Sequence, residues 1–160
     1  YNYFKEKDEI LLAVLEQHGE EAFHRLEVQP GDPEDFEGAF RARLARTLAF
    51  LAEHRSFMKV AVSHGLFSLP ENTESIPGSF ASLPHVNRHR KRHCDLTIAM
   101  MQEGMDRGVF MQCDVHFLHR FWFGAISSVL SGAVCDPSAD LVAEGNRAVD
   151  LLFRAIKVSP

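Results

Sequence analysis

Histidine spacing gives the first chemical signal in this sequence. His85, His89 and His93 recur four residues apart within the stretch PHVNRHRKRHCD. Two histidines one helical turn apart can bind a metal from a single helix face, and His64 or His119 could approach from another helix. No cysteine or carboxylate stands beside them at a usual ligand spacing, so the pattern favours structural or solvent-facing histidines and predicts no metal or other cofactor. A helical metal-binding protein or enzyme that uses this histidine-rich face is the alternative.

Nucleophilic side chains occur without the sequence context that catalysis requires. Ser63 precedes His64, and Cys113 stands alone, yet no nucleophile elbow, phosphate-binding loop or metal signature surrounds them. The three cysteines, which include Cys94 and Cys135, are odd in number and widely spaced. This spacing is typical of free thiols in a reducing cytosol. We therefore predict a cytoplasmic protein that is not an enzyme.

The composition is that of an ordinary globular domain. Hydrophobic residues make up 46% and charged residues 24%, and the formal net charge is -5. This acidic balance argues against strong nucleic-acid binding by these residues themselves. The most apolar stretch, from Phe121 to Cys135, is shorter than the ~20 residues that span a bilayer, and no secretory signal pattern is visible. The sequence thus predicts a buried helix there and no membrane partner.

Helical periodicity runs through most of the chain, and proline and glycine mark the breaks. We predict an all-α bundle of about six helices, over about 7–26, 33–53, 57–64, 84–107, 115–134 and 138–157, with a loop at 65–83. Asp32 and Asp114 are expected to be N-caps, and Gly108 a C-terminal stop. Positions that face inward in the fourth helix are expected to be Val86, His89, His93, Leu96, Thr97, Met100 and Gly104.

The opening stretch YNYFKEKDEILLAVLE resembles the end of the DNA-binding head in the TetR family of bacterial transcriptional regulators. In that family an aromatic cluster, a short turn with a lysine and a linking helix follow one another. The later stretches MQEGMDRGVF, FLHRFWFGAISSVLSGAV and LVAEGNRAVDLLFRAI are similar to the region of its dimerisation helices. The residues that match the opening pattern are Tyr1, Tyr3, Phe4, Lys7, Glu9, Ile10 and Leu11.

The resemblance implies that residues 1–6 are a remnant of the DNA-binding head and that residues 7–160 form a ligand-binding and dimerisation domain. The helix-turn-helix itself would be missing, and operator DNA would be bound through it. Tyr1, Tyr3 and Lys7 match positions that contact phosphate, with Lys7 at the N-terminus of the linking helix. Glu6 departs from the family pattern, which has a capping residue there. The alternative is that these aromatic residues only seal the head to the body.

The resemblance also favours a homodimer in which the last two helices of each copy form a four-helix interface. Small side chains on one face of the apolar helix would allow close approach of two copies; the alternative is a central core helix of a monomer. The expected interface residues are Phe121, Gly124, Ser127, Ser128 and Ser131, with Ala148 and Leu152 from the last helix.

An apolar pocket with few polar anchors is the expected ligand site. His93 and His119 would be the polar points. The remaining predicted pocket residues are Leu51, Met58, Leu96, Met100, Trp122 and Ile126. The resemblance thus implies a ligand-responsive transcriptional regulator, a repressor that senses a small, largely apolar effector and then releases DNA.

Overall fold

Six α-helices form the regular structure of the residues that the structure describes. A computed structural model describes residues 2–67 and 84–159 and, within them, the side chains of residues 9–67 and 86–159. The helices are α1 (Asn2–Leu26), α2 (Phe36–Glu53), α3 (Arg55–Ser63), α4 (Pro84–Asp106), α5 (Val115–Cys135) and α6 (Leu141–Ile156). The predicted all-α class is confirmed. Most of the predicted loop at 65–83 lies outside the described residues.

The first helix is longer than the sequence predicts. α1 begins at Asn2 instead of near Lys7 and continues without a break to Leu26. Lys7 therefore lies in the second turn, where backbone N–H groups are bonded within the helix, and not at a helix N-terminus. Tyr1 lies outside the described residues, as do the side chains of Tyr3 and Lys7. Phosphate contacts of these three residues stay predictions.

The second helix begins three residues later than predicted. Its N-cap is Asp35, whose carboxylate accepts the N–H of Gly38 at 2.7 Å. Asp32, the predicted cap, instead accepts the N–H of Gln29 at 2.9 Å and forms an ion pair with Arg46. These bonds, the one from Arg46 above all, hold the pKa of Asp32 below its usual value. Asp32 thus fastens the α1–α2 turn to α2 instead of starting the helix.

The helix ends in the second half of the chain agree with the sequence signals more closely than the starts of α1 and α2 do. Gly108 has a φ of +69° just beyond α4, as its predicted role as a stop requires. The Asp114 carboxylate accepts two N–H groups of the first turn of α5, which confirms it as the N-cap. α6 is capped by Asp140 and begins at Leu141, so Ser138, its predicted start, lies in the preceding turn.

The core lies around α2, which packs against α1, α3 and α6, while α5 packs against α3, α4 and α6. The apolar face of α2 is buried along its length, as its periodicity predicts. Phe110, beyond the end of α4, lies in a cluster of aromatic rings with Phe36 and Phe153. A β-bridge between Phe110 and Lys157 fastens this segment to the end of α6. None of the described helices is long and apolar enough to cross a membrane.

Candidate functional site

Two adjoining cavities lie inside the bundle. The larger, cavity I, has a volume of about 90 Å³ and is bounded by residues of α1, α2, α3, α4 and α5. The smaller, cavity II, has a volume of about 50 Å³ and lies mainly between α2, α4 and α5. The cavities share five wall residues: Thr47, Leu51, Phe67, His93 and Phe123.

Carbon atoms form most of both walls, and the polar groups are unevenly divided. Cavity I is bordered by Glu16, His89 and Arg90, while no residue that borders cavity II carries a formal charge at neutral pH. The hydroxyls of cavity II donate to backbone carbonyls: Thr97 at 3.0 Å and Ser127 at 2.6 Å. Thr47, on both walls, does the same at 3.0 Å. Cavity II therefore suits an apolar group, and cavity I can also receive a polar one.

Two histidines flank the ring of Phe123 at the junction of the cavities. The ring of His93 on α4 lies 6.3 Å from that of Phe123, and the ring of His119 on α5 lies 5.6 Å from it. Burial, with a smaller contribution from His119, lowers the pKa of His93 to about 4. His93 is therefore uncharged near neutral pH, and its ring offers the cavity wall a hydrogen-bonding group without a charge.

Five of the eight predicted pocket residues border the cavities. Leu51 and His93 lie on both walls, and Met100, Trp122 and Ile126 lie on the wall of cavity II. The other three border neither cavity. Met58 is 1% exposed and belongs to the main core, Leu96 packs against that core from its edge, and His119 is buried behind Phe123. Ligand binding by the five residues stays a prediction.

Arg90 is one of several cavity residues that the sequence did not predict. It is only 5% exposed, and it borders cavity I between the buried residues Val86 and Cys94. The most buried face of α4 thus runs through positions 86, 90, 94, 97 and 101, next to the predicted stripe through His89 and His93. The four-residue spacing of Val86, Arg90 and Cys94 was the available signal, and arginine is rarely expected on a buried face.

The histidine-rich face of α4 contacts carboxylates of α1. Nδ1 of His89 lies 3.1 Å from a Glu20 carboxylate oxygen, and its Nε2 lies 3.8 Å from Glu16. Arg92, on the same side, lies 3.2 Å from Glu20. Among the side chains that the structure describes, no three histidine, cysteine or acidic groups are placed to hold a metal ion. The contacts of His89 favour its role as a link between α1 and α4.

One face of α5 is exposed in the single chain. We call it the α5 seam, and it includes two large aromatic side chains, Phe117 and Phe121, which are 59% and 55% exposed. Of the predicted interface residues, Gly124, Ser128 and Ser131 also lie on it. The composition of α5 predicts burial on nearly all sides. In the single chain the helix is instead exposed along this face. The members of the seam are Phe117, Phe121, Gly124, Ser128, Ser131 and Cys135.

Two other predicted interface residues belong to the body of the chain. Leu152 is 1% exposed in the single chain, so its side chain has almost no surface to offer a second copy; its place in the interface stays a prediction. Ser127 is half-buried and donates to the carbonyl of Phe67 at 2.6 Å, which turns its hydroxyl inward. Ala148 is half-buried. Leu151, which precedes Leu152, is a large apolar residue of α6 at the surface, with 68% of it exposed.

Known proteins share the fold of this chain, although its sequence matches no protein-family model and no curated protein. Solved structures that resemble it include a protein of unknown function from Rhodococcus sp. RHA1. That protein is 17% identical, with a TM-score of 0.62 over 94% of this chain and 71% of the other. Another is the TetR family transcriptional regulator PfmR from Thermus thermophilus. It is 24% identical, with a TM-score of 0.59 over 91% of this chain and 72% of the other. The chain has a TetR-like fold.

Proposed function

We propose that the chain is the ligand-binding and dimerisation body of a transcriptional regulator, a repressor whose effector is a small, largely apolar molecule. Apolar cavities within a TetR-like fold support this proposal. In this scheme residues 1–6 are the remnant of the DNA-binding head, residues 7–160 form the sensing body, and operator DNA is bound through the head.

The observation that carries the proposal is that α1 forms one wall of cavity I. Leu15, Glu16, Gly19 and Ala22 border the cavity, and the same unbroken helix leads back to Asn2. A ligand in cavity I therefore touches the helix that leads to the proposed head. An effector that binds better to one position of α1 shifts the population toward that position and changes the spacing of the two heads.

Two heads require two copies, and the α5 seam is the surface proposed to join them. Exposed large apolar side chains grouped on one face are typical of interaction sites. The small residues Gly124, Ser128 and Ser131 would let two copies of α5 approach closely across a two-fold axis. Leu151, which is exposed, and Ala148, which is half-buried, are the residues of α6 proposed to extend this surface. Ser128→Arg should give monomers in sedimentation, and a variant that remains dimeric would place the interface elsewhere.

Selection of DNA by the full-length protein tests the regulatory function. The protein, with any residues that precede Tyr1 in its gene, is incubated with random-sequence duplex DNA, and bound DNA is sequenced over several rounds. We expect enrichment of a sequence with two symmetric half-sites, because a two-fold symmetric dimer reads a pseudo-palindrome. Failure to enrich any sequence, with a folded and dimeric protein, would refute sequence-specific DNA binding.

The contribution of Lys7 is tested on the selected DNA. Lys7→Gln should weaken binding and reduce the slope of log affinity against log salt by about one charge, if Lys7 neutralises a phosphate. Lys59→Gln is the matched control, because Lys59 is an exposed lysine on α3, far along the chain from the proposed head. A salt slope that Lys7→Gln leaves unchanged would remove Lys7 from the DNA contact.

A further inference from the structure

Arg90 is a buried arginine on the wall of an otherwise largely apolar cavity. The residue is 5% exposed and borders cavity I. Burial lowers the pKa of Arg90, yet a guanidinium remains protonated in proteins and keeps its charge. Its five N–H donors form a planar fork that matches the two oxygens of a carboxylate. The group can therefore donate hydrogen bonds to a ligand carboxylate in addition to its contacts within the protein.

Of the residues with a formal charge that border cavity I, Arg90 is the buried one. Glu16 also borders the cavity, but its side chain is 54% exposed and faces Nε2 of His89 at 3.8 Å. His89 lies between Glu16 and Glu20. The buried side of cavity I therefore presents an arginine and the uncharged His93. An anionic group that accepts hydrogen bonds complements this combination.

Cavity II sets the character of the rest of the ligand. Its hydroxyls are bonded to backbone carbonyls, and Trp122, Met100 and Leu44 are among the carbon-rich groups on its wall. A ligand whose acidic group lies at Arg90 would pass the shared side chains of His93 and Phe123 to place its apolar end here. Cavities of about 90 Å³ and 50 Å³ together approach the ~150 Å³ space that holds benzene. The whole ligand, its acidic group included, is thus small, with roughly six to eight non-hydrogen atoms.

We infer that cavities I and II together bind a small apolar monocarboxylate, with its carboxylate on Arg90 and its hydrocarbon part extending toward Trp122. This inference rests on the proposed use of the cavities as the effector site. It names the chemical class of the effector: a short-chain or single-ring carboxylic acid, in its ionised form.

Paired ligands that differ only in the acidic group test the inference. Binding of hexanoate, hexan-1-ol and acetate to the full chain is measured by titration calorimetry near neutral pH. We expect hexanoate to bind at least roughly tenfold more tightly than hexan-1-ol, because a charge-assisted bidentate pair is stronger than a neutral hydrogen bond. Acetate, which lacks the hydrocarbon part, should bind much more weakly than hexanoate.

The variant Arg90→Gln should lose at least roughly tenfold in hexanoate affinity and keep its affinity for hexan-1-ol. Arg88→Gln is the matched control, since Arg88 is an exposed arginine two residues away on the same helix, and it should bind both ligands as the parent does. Retained hexanoate affinity in a folded Arg90→Gln variant would overturn the inference.

The parent protein alone also decides the question if Arg90→Gln does not fold. Equal affinity for hexanoate and hexan-1-ol, equal affinity for acetate and hexanoate, or no binding of hexanoate up to about 10 mM would each overturn the inference. The selection of DNA uses no ligand. Sequence-specific DNA binding without hexanoate binding would therefore refute the acid site and leave the regulatory function standing. Hexanoate binding without sequence-specific DNA binding would refute the regulatory function and leave the acid site standing.

Discussion

Replacement of Phe121 by aspartate should dissociate the proposed dimer. Phe121 is 55% exposed in the single chain, so about 110 Å² of a side chain of roughly 200 Å² would be covered by the second copy. At about 25 cal/mol per Å² this burial contributes about 3 kcal/mol per copy, or about 5 to 6 kcal/mol for the symmetric pair. The costs of ordering two molecules are common to the parent and the variant, so they largely cancel in the difference.

A loss of this size raises the dimer dissociation constant by roughly four orders of magnitude. Sedimentation velocity over a range of protein concentrations measures that constant for the parent, Phe121→Asp and the control Val28→Asp. Val28 is an apolar residue 72% exposed in the α1–α2 turn, outside the α5 seam, and its variant should dimerise as the parent does. Equal dissociation constants for the parent and Phe121→Asp would refute the interface, as would equal weakening by Val28→Asp.

Three further predictions concern the stability of the body. Gly104→Ala should destabilise it by about 1 kcal/mol, because a Cβ there would lie 2.7 Å from Cε2 of Phe110, and overpacking of about 1–3 kcal/mol outweighs the gain of about 1 kcal/mol in helix propensity. Arg46→Met should cost about 3 kcal/mol in urea unfolding, because it leaves the largely buried Asp32 carboxylate without its ion pair. The pKa of His93 is about 4 in the folded chain, below its ordinary value of 6.5. As the pH falls, the imidazole of His93 is therefore protonated in the unfolded chain at a higher pH than in the folded chain. Stability should therefore be full above about pH 6.5 and fall by about 3 kcal/mol toward pH 4, and His93→Gln should remove that part of the pH dependence.

Each of these predictions has a control and a result that contradicts it. Gly132→Ala, where a Cβ meets nothing within 4 Å, should stabilise by up to about 1 kcal/mol, and equal effects at both glycines would contradict the crowding argument. Arg147→Met removes an exposed pair and should change stability by less than about 1 kcal/mol; an equally small effect at Arg46 would mean that the inner pair contributes little. His116→Gln alters an exposed histidine and should keep the pH profile of the parent. If His93→Gln also keeps that profile, the pH dependence of stability does not come from the burial of His93.

Sequence periodicity and caps predict the helices because these signals are local. Asp114 and Gly108 each act on residues within one helical turn, and both are confirmed. Asp32 shows the limit of this reasoning. It stands before a proline and near a helix start, as an N-cap would, but its partner Arg46 is fourteen residues away. The long-range ion pair decides its role, and nothing in the local sequence reports that pair.

The cavities and the seam were less predictable, because neighbouring residues of similar chemistry can exchange roles through a small rotation of a helix. On α4 the buried face passes through Arg90 instead of His89, a shift of one residue that places a charge on the wall of cavity I. On α6 the adjacent leucines Leu151 and Leu152 are equally apolar, yet Leu152 lies in the core and Leu151 at the surface. A helix alone does not specify which stripe is deepest; the packing of its neighbours does.

The spacing along the α5 seam has a geometric consequence. Its members follow one another at intervals of four, three, four, three and four residues, so equivalent positions recur every seven residues, which corresponds to a period of about 3.5. A straight α-helix has about 3.6 residues per turn, so a stripe of this period stays in register with a partner only if the two helices wind around each other in a left-handed sense. Two copies of α5 should then cross at about +20° and remain side by side along most of their ~30 Å length. A twist of this kind would make the interface a long, shallow supercoil and not a point contact between crossed helices.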